Sequence, residues 1–304
     1  MTTLTAEEKN DRVKPTVETH IAHADWVLPA WAALCGLLSG GHLPDLTQDG
    51  ALLRLSELLL LVSIGWNLLW MALGRTDWAT PMREWQAWSV GDPVKTLPYA
   101  HPGSIAERIA NRLGHFRSWW QTAFYPSCGP ALALALMMLL ITILLSILLG
   151  SDLVLVTWVA LTVMQLGLMW GGGRGEPEPG WDALLMVMLP WWAGRLVSAP
   201  LSLSLALMAL LFAIAWGASA DVTRFRGRFL TVAAQVLAGA LLIAEGHALA
   251  GGGLLVLLAP QMILFPWLAS GTPRPLSETD YSRYVRPWLM AAMLIASIGG
   301  IAPG

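Results

Sequence analysis

The sequence predicts an all-α polytopic membrane protein, a bundle of nine transmembrane helices with its N-terminus in the cytoplasm. Three observations predict it. Of the 304 residues, 56% are hydrophobic and 12% charged, and the mean hydropathy of +0.58 is too high for a soluble domain. The apolar residues come in runs long enough to cross the roughly 30 Å hydrocarbon core of a bilayer. The lysines and arginines gather on alternate connections, as the positive-inside rule requires.

The spans are expected at about 26–43, 52–73, 129–149, 152–170, 182–198, 199–217, 229–249, 252–269 and 286–302. Ser198-Ala199-Pro200 divides what is otherwise one very long run, since proline near a helix start is a natural boundary. With residues 1–25 cytoplasmic, sixteen of the 18 basic residues fall on the inner side. Only Arg54 and Arg195 fall outside, both near span ends. One miscounted span would scramble that alternation. The first 24 residues mix acidic and basic side chains and lack an apolar h-region, so no secretory signal is expected. Seventeen tryptophans, many flanking apolar runs, read as interfacial anchors. Cys35 and Cys128 fall at different depths and read as apolar fillers rather than a disulfide.

Outer connections are short: Gly150-Ser151-Asp152, Ser198-Ala199-Pro200 and Gly251-Gly252-Gly253 each predict a tight antiparallel hairpin. Inner connections are longer, so residues 26–304 form one membrane domain with a cytoplasmic cap from 74–128 and 218–228. Within that cap, Ser104 and Glu107 form a capping box that opens an amphipathic helix. Ile105, Ile109 and Leu113 form its apolar stripe, and Gly114 is expected to end it, giving a lid on the membrane surface.

Several residues have plain structural readings. Arg54 and Glu57 are expected to pair at the outer interface, as are Arg195 and Glu245. His101, His115 and His247 are isolated and read as interfacial side chains rather than pigment ligands. Gly171-Gly172-Gly173-Arg174-Gly175 lacks the Lys-Ser/Thr ending of a phosphate loop and reads as a flexible turn.

The loops after the second and sixth spans carry the functional signal. Leu28-Pro29-Ala30-Trp31 followed by Gly36 and Gly40, then Gly65-Trp66-Asn67-Leu68-Leu69, then Asp221 with Gly227-Arg228, are similar to the first helix and the two aspartate-rich loops of the UbiA superfamily of intramembrane prenyltransferases. The resemblance covers nearly the whole chain in topology and short stretches in sequence. It implies transfer of a prenyl group from a diphosphate to an aromatic or tetrapyrrole acceptor, with Mg²⁺ bridging the diphosphate to several carboxylates.

On that alignment the motif asparagine falls at Trp70 and the first two aspartates at Met71 and Gly74, while Asp77 lies one position short of the last. In the second loop Asp221 stands, followed by Thr223, Arg224, Phe225 and Arg226. The candidate catalytic residues are therefore Asp77 and Asp221, and the candidate cavity residues are Asn67, Met71 and Gly74. Arg75, Arg224, Arg226 and Arg228 are candidate diphosphate ligands, because guanidinium forks bind phosphate without a metal. The same arginines also serve the positive-inside rule.

Two readings follow. One is a non-catalytic relative in the bacterial inner membrane that binds an isoprenoid lipid, quinone or pigment tail and serves as an accessory subunit of a membrane complex. The other is an active prenyltransferase whose Mg²⁺ ligands come from Asp77, Asp92, Glu107 and Asp221. The expected partners are the bilayer, an isoprenoid or quinone-type lipid and other membrane subunits, not nucleic acid. A transporter is disfavoured, since no span reads as carrying buried charges or paired broken helices.

Overall fold

A computed structural model of the protein describes residues 26–41, 50–87, 101, 103–171, 173, 175, 178–222, 224–268 and 277–299. The N-terminal segment 1–25, together with Asp92, Lys95, Arg174, Thr223 and Arg274, lies outside the described residues. All described elements are helical: α1 (Val27–Leu38), α2 (Ala51–Gly74), α3 (Ala79–Ala87), α4 (Ile105–Leu149), α5 (Ser151–Trp170), α6 (179–198), α7 (Leu203–Asp221), α8 (Phe225–Ala244), α9 (Ala248–Leu268) and α10 (Glu278–Gly299). Six of them, α2, α4, α5, α7, α8 and α9, are long and apolar enough to cross a membrane.

Several boundaries differ from expectation, each for a local reason. α1 is 12 residues long and ends at Leu38, short of the 18 expected, and Gly41 just beyond it adopts a positive φ of 77°. α7 begins at Leu203, where the Ser202 hydroxyl accepts the Leu205 amide at 3.3 Å. The three glycines expected to form the hairpin before α9 lie inside it. The turn is instead Glu245-Gly246-His247, with Gly246 at φ 89°. Glycine does not break α9 because Gly251 faces α8: a Cβ there would lie 2.6 Å from the Gly239 carbonyl oxygen.

The amphipathic helix also departs from expectation. Ser104 caps it, accepting the Glu107 amide at 3.2 Å, while the Glu107 carboxylate accepts the Gly103 amide. It does not stop at Gly114. It runs through a π-helical turn at Trp120–Phe124 into the apolar segment Tyr125–Leu149, as one 45-residue helix. At 1.5 Å per residue that is about 67 Å, roughly twice a hydrocarbon core, so its first part is a stalk beyond the apolar segment. Trp85 of α3 braces the stalk edge-on to His115, Phe116 and Trp119. Trp119 Nε1 donates to the Pro81 carbonyl at 2.9 Å.

Two of the three π turns among the described residues sit just before a proline. Trp120–Phe124 precedes Pro126, and Leu184–Met188 precedes Pro190. Proline lacks the N–H that a regular α turn needs, and the wider π turn accommodates the missing bond.

The tightest helix crossing joins α1 to α6. A Cβ on Gly36 would run into the Trp191 carbonyl oxygen, and one on Gly194 into that of Ala33. The two backbones touch, as small residues permit between apolar helices. Arg195 then reaches over the end of α1 and donates to the Ser39 carbonyl, and to that of Pro200 at 3.1 Å. A cation at a helix C-terminus satisfies carbonyls left without intrahelical donors. Arg195 therefore pairs with backbone rather than with the exposed Glu245, and no ion pair joins Arg54 to Glu57. Trp31 Nε1 ties α1 to the Met290 carbonyl of α10 at 3.0 Å.

Between α8 and α9 the link is polar. Gln235 and Gln261, both fully buried, exchange side-chain amide hydrogen bonds of 2.8 and 2.9 Å.

Two stability predictions follow from these crossings. Gly194→Ala drives a methyl into the Ala33 carbonyl and should destabilise the protein by roughly 1–3 kcal/mol, read as a lowered thermal midpoint in detergent. Gln235→Leu alone should cost about 1–2 kcal/mol because it strands the Gln261 amide, whereas Gln235→Leu with Gln261→Leu should recover much of the loss. A double-mutant cycle by denaturant titration measures the difference; additive single effects would refute the pairing.

Candidate functional site

The loop end of the bundle, opposite the Gly150 and Gly246 turns, gathers the sequence-predicted residues around the start of α6. Asn67, Met71 and Gly74 on the last turns of α2 are all buried. Trp70 is 1% exposed. Its indole lies where Gly74 and Gly167 leave room: a Cβ on either would sit 3.1 or 2.9 Å from the Trp70 ring. The indole Nε1 donates to Asp182 Oδ1 at 2.5 Å. Arg75, exposed at the end of α2, acts electrostatically on that carboxylate. The end of α2 is thus built around the Trp70 indole.

Asp182 is the residue that sequence reasoning missed. It appears in the sequence as the first residue of an apolar run, next to Trp181, and reads as a span boundary. No spacing rule links it to Trp70, 112 positions away. Contact between the two depends on α5 and α6 packing beside the end of α2.

Asp77 lies on the surface and caps α3. Its carboxylate accepts the Thr80 amide at 3.0 Å and the Thr80 hydroxyl at 2.6 Å. Burial raises its pKa, but the Thr80 donors, the Ala79 amide and Arg83 outweigh that and hold the carboxyl below its ordinary value. The glycine-rich turn packs against this loop: the Gly173 carbonyl accepts the Trp78 and Ala79 amides at 2.8 and 3.1 Å. Gly175, at φ 77°, lies against the Arg75 carbonyl. That turn is a clasp between two loops.

The second loop is tied down differently. Asp221 pairs with Arg224 at 3.5 Å, both groups well exposed. Arg228 Nε donates to the Val222 carbonyl at 2.6 Å, and Gly227 packs so closely that a Cβ would collide with the Asp221 carbonyl. Arg226 is exposed. The Arg286 guanidinium of α10 lies 5.5 Å over the Trp216 ring. The two loops meet through α6, because a Cβ on Gly217 would lie 3.1 Å from the Pro179 carbonyl oxygen, three residues before Asp182.

These residues do not fit a magnesium cradle. Asp77 is committed to Thr80, Asp221 to Arg224 and Glu107 to the Gly103 amide. Among the described residues no three His, Cys, Asp or Glu side chains are grouped to hold a metal ion. The four candidate anion ligands lie at the two loop ends, Arg75 at the end of α2, Arg224 at the N-cap of α8 and Arg226 and Arg228 on its first turn, and the structure adds Arg286 beside the second.

Compared with family models, curated proteins and solved structures, the chain matches none.

The depressed Asp77 carboxyl sets a pH dependence. Its folded-state pKa lies below the unfolded value of about 3.9, so its capping contribution is complete above roughly pH 4 and is lost as the pH falls through the folded value. Hydrogen exchange at the amides of Thr80 and its neighbours should accelerate, relative to the intrinsic rate, on acidification below about pH 4. In Asp77→Asn the protection should be weaker at neutral pH and insensitive to that change.

Proposed function

We propose that the chain is a nine-span bundle of UbiA type, with its N-terminus and loop end on the cytoplasmic side of the bacterial inner membrane. The six apolar helices, with α1, α6 and α10 taken as further spans, support that count, and the placement of lysine and arginine supports that orientation. In this reading the protein binds an isoprenoid lipid, quinone or pigment tail and works as a non-catalytic accessory subunit of a membrane complex.

The observation that carries the reading is the Trp70–Asp182 contact. Prenyl transfer from a diphosphate calls for carboxylates free to hold Mg²⁺ as the allylic C–O bond breaks. At the positions the resemblance points to stand an indole, a thioether and a glycine, and the indole donates to the Asp182 carboxylate. A large indole held at that depth suits binding an apolar chain better than cleaving a diphosphate.

Turnover by purified protein with a panel of prenyl diphosphates and Mg²⁺ tests this. The expected result is no product above background, with an isoprenoid or quinone extracted from the preparation in near-stoichiometric amount and partner chains co-purifying. Mg²⁺-dependent product that disappears in Asp77→Ala or Asp221→Ala would sink this reading. It would establish the alternative, a divergent prenyltransferase acting on an aromatic or tetrapyrrole acceptor. Trp70→Phe, which strands the Asp182 carboxylate, should lower the thermal midpoint and the amount of lipid retained.

A further inference from the structure

We propose that the stalk of α4 docks an amphipathic helix of a partner protein, one whose apolar seam is flanked by glutamate or aspartate. This surface deepens the accessory-subunit reading and rests on it only for the partner's place in a membrane complex.

The stalk carries an open apolar stripe. Ile105, Ile109 and Leu113 are 72, 53 and 61% exposed, and Phe116 is 46% exposed. Steps of four, four and three residues set these side chains on one face of the helix. From Ile109 the steps run four, three and then four to the half-buried Trp120, which is the spacing of the seam between two paired helices. The bilayer does not account for the stripe. Ile105 opens the helix well before the apolar segment that begins at Tyr125, and at 1.5 Å per residue it stands about 30 Å away along the axis. Trp85 and the Pro81 carbonyl brace the stalk at His115, Phe116 and Trp119. Braced there, and one helix with the apolar segment, the stalk carries its stripe away from the bilayer.

The borders of the stripe are basic. Arg112 stands one residue before Leu113 and Arg117 one residue after Phe116, so the two arginines lie on opposite sides of the seam. Both are exposed, and among the described residues neither is engaged in an ion pair or a hydrogen bond. Arg108 donates to the Gly103 carbonyl at 3.3 Å, and Glu107, the one acid of the stalk, turns to the Gly103 amide on the opposite face.

This charge pattern selects the occupant. In a parallel pair of stalks, the Arg112 border of one would face the Arg117 border of the other. In an antiparallel pair each arginine would face its own counterpart. Both arrangements bring like charges together, so the stalk is set against pairing with a second copy of itself. A helix with acidic flanks meets the same seam with opposite charge on both borders, and such flanking pairs decide partner and orientation in paired helices.

Two synthetic amphipathic helices with the same leucine seam, one flanked by glutamate and the other by lysine, test this. Binding is read by fluorescence anisotropy against the full chain in phosphatidylcholine nanodiscs, with empty discs as the control. The glutamate peptide should bind about tenfold more tightly than the lysine peptide, and its affinity should fall as salt rises. Arg112→Glu combined with Arg117→Glu should reverse the preference, and Leu113→Ser should weaken both peptides about tenfold. All three positions are exposed, so the variants should keep the parent's thermal midpoint, which separates lost docking from lost fold.

Failure of the glutamate peptide to bind, equal binding of the two peptides, or a preference that survives the charge reversal overturns the surface. A dimer seen by light scattering that Leu113→Ser dissociates overturns it too, by giving the face to a second copy. So does an environment-sensitive dye on Leu113→Cys that shifts to the blue in phosphatidylserine discs without peptide, which gives the face to lipid. Prenyl-transfer turnover in a chain that binds the glutamate peptide keeps the surface and removes the accessory-subunit reading. A chain without turnover that retains its lipid and co-purifying partners but ignores the peptide loses the surface and keeps that reading.

Discussion

The contact between the backbones of α1 and α6 is the constraint on which the loop end depends. Gly36 lies against the backbone at Trp191 and Gly194 against that at Ala33, so closely that neither position has room for a Cβ. In an apolar environment there is little hydrophobic drive for one helix to choose another, so close van der Waals packing between small residues does the choosing. That crossing sets the rotation of α6 about its axis. The rotation in turn aims Asp182, three turns earlier, at the indole of Trp70. Arg195, one residue past Gly194, closes the same crossing by satisfying carbonyls at the end of α1.

Polar groups inside the bundle follow a second rule. Most of the buried hydroxyls fold back onto their own helix: Thr76, Ser146, Thr231 and Ser297 each donate to a carbonyl three or four residues earlier. Such bonds spare the desolvation penalty without linking helices. Gln235 with Gln261 and Trp70 with Asp182 are different, because each joins two helices and specifies how they dock. The first has no charge and reads as architecture. The second places a carboxylate at the mouth of the bundle, where its partner indole and the nearby Arg75 decide what it can do.

Legibility in the sequence follows the range of the interaction. Apolar runs report desolvation residue by residue, so six of the nine expected spans fall on described helices long and apolar enough to cross a membrane, although the one at 129–149 is the end of a 45-residue helix whose stalk the run does not show. Caps are local as well, and Ser104 with Glu107 was readable. Glycine is ambiguous in sequence: Gly251–Gly253 read as a turn but lie inside α9, where Gly251 faces α8, and Gly114 reads as a helix end but continues the helix. The positive-φ turn at Gly246 beside Glu245 carried no stronger signal than its neighbours.

The candidate site divides the same way. Composition and run length alone determined that the chain is helical and suited to a membrane, since burying so many apolar side chains leaves no other solvent for them. The loop positions of Asp77, Arg75, Asp221 and the Arg224–Arg228 stretch were also determined locally. Only the tertiary structure decided which groups meet: Asp182 with Trp70 across 112 residues, Gln235 with Gln261, and Arg286 over Trp216. Close approaches at glycine frame the Trp70 indole and the α8–α9 seam, and such a crossing depends on two distant faces at once, which no single stretch of sequence contains.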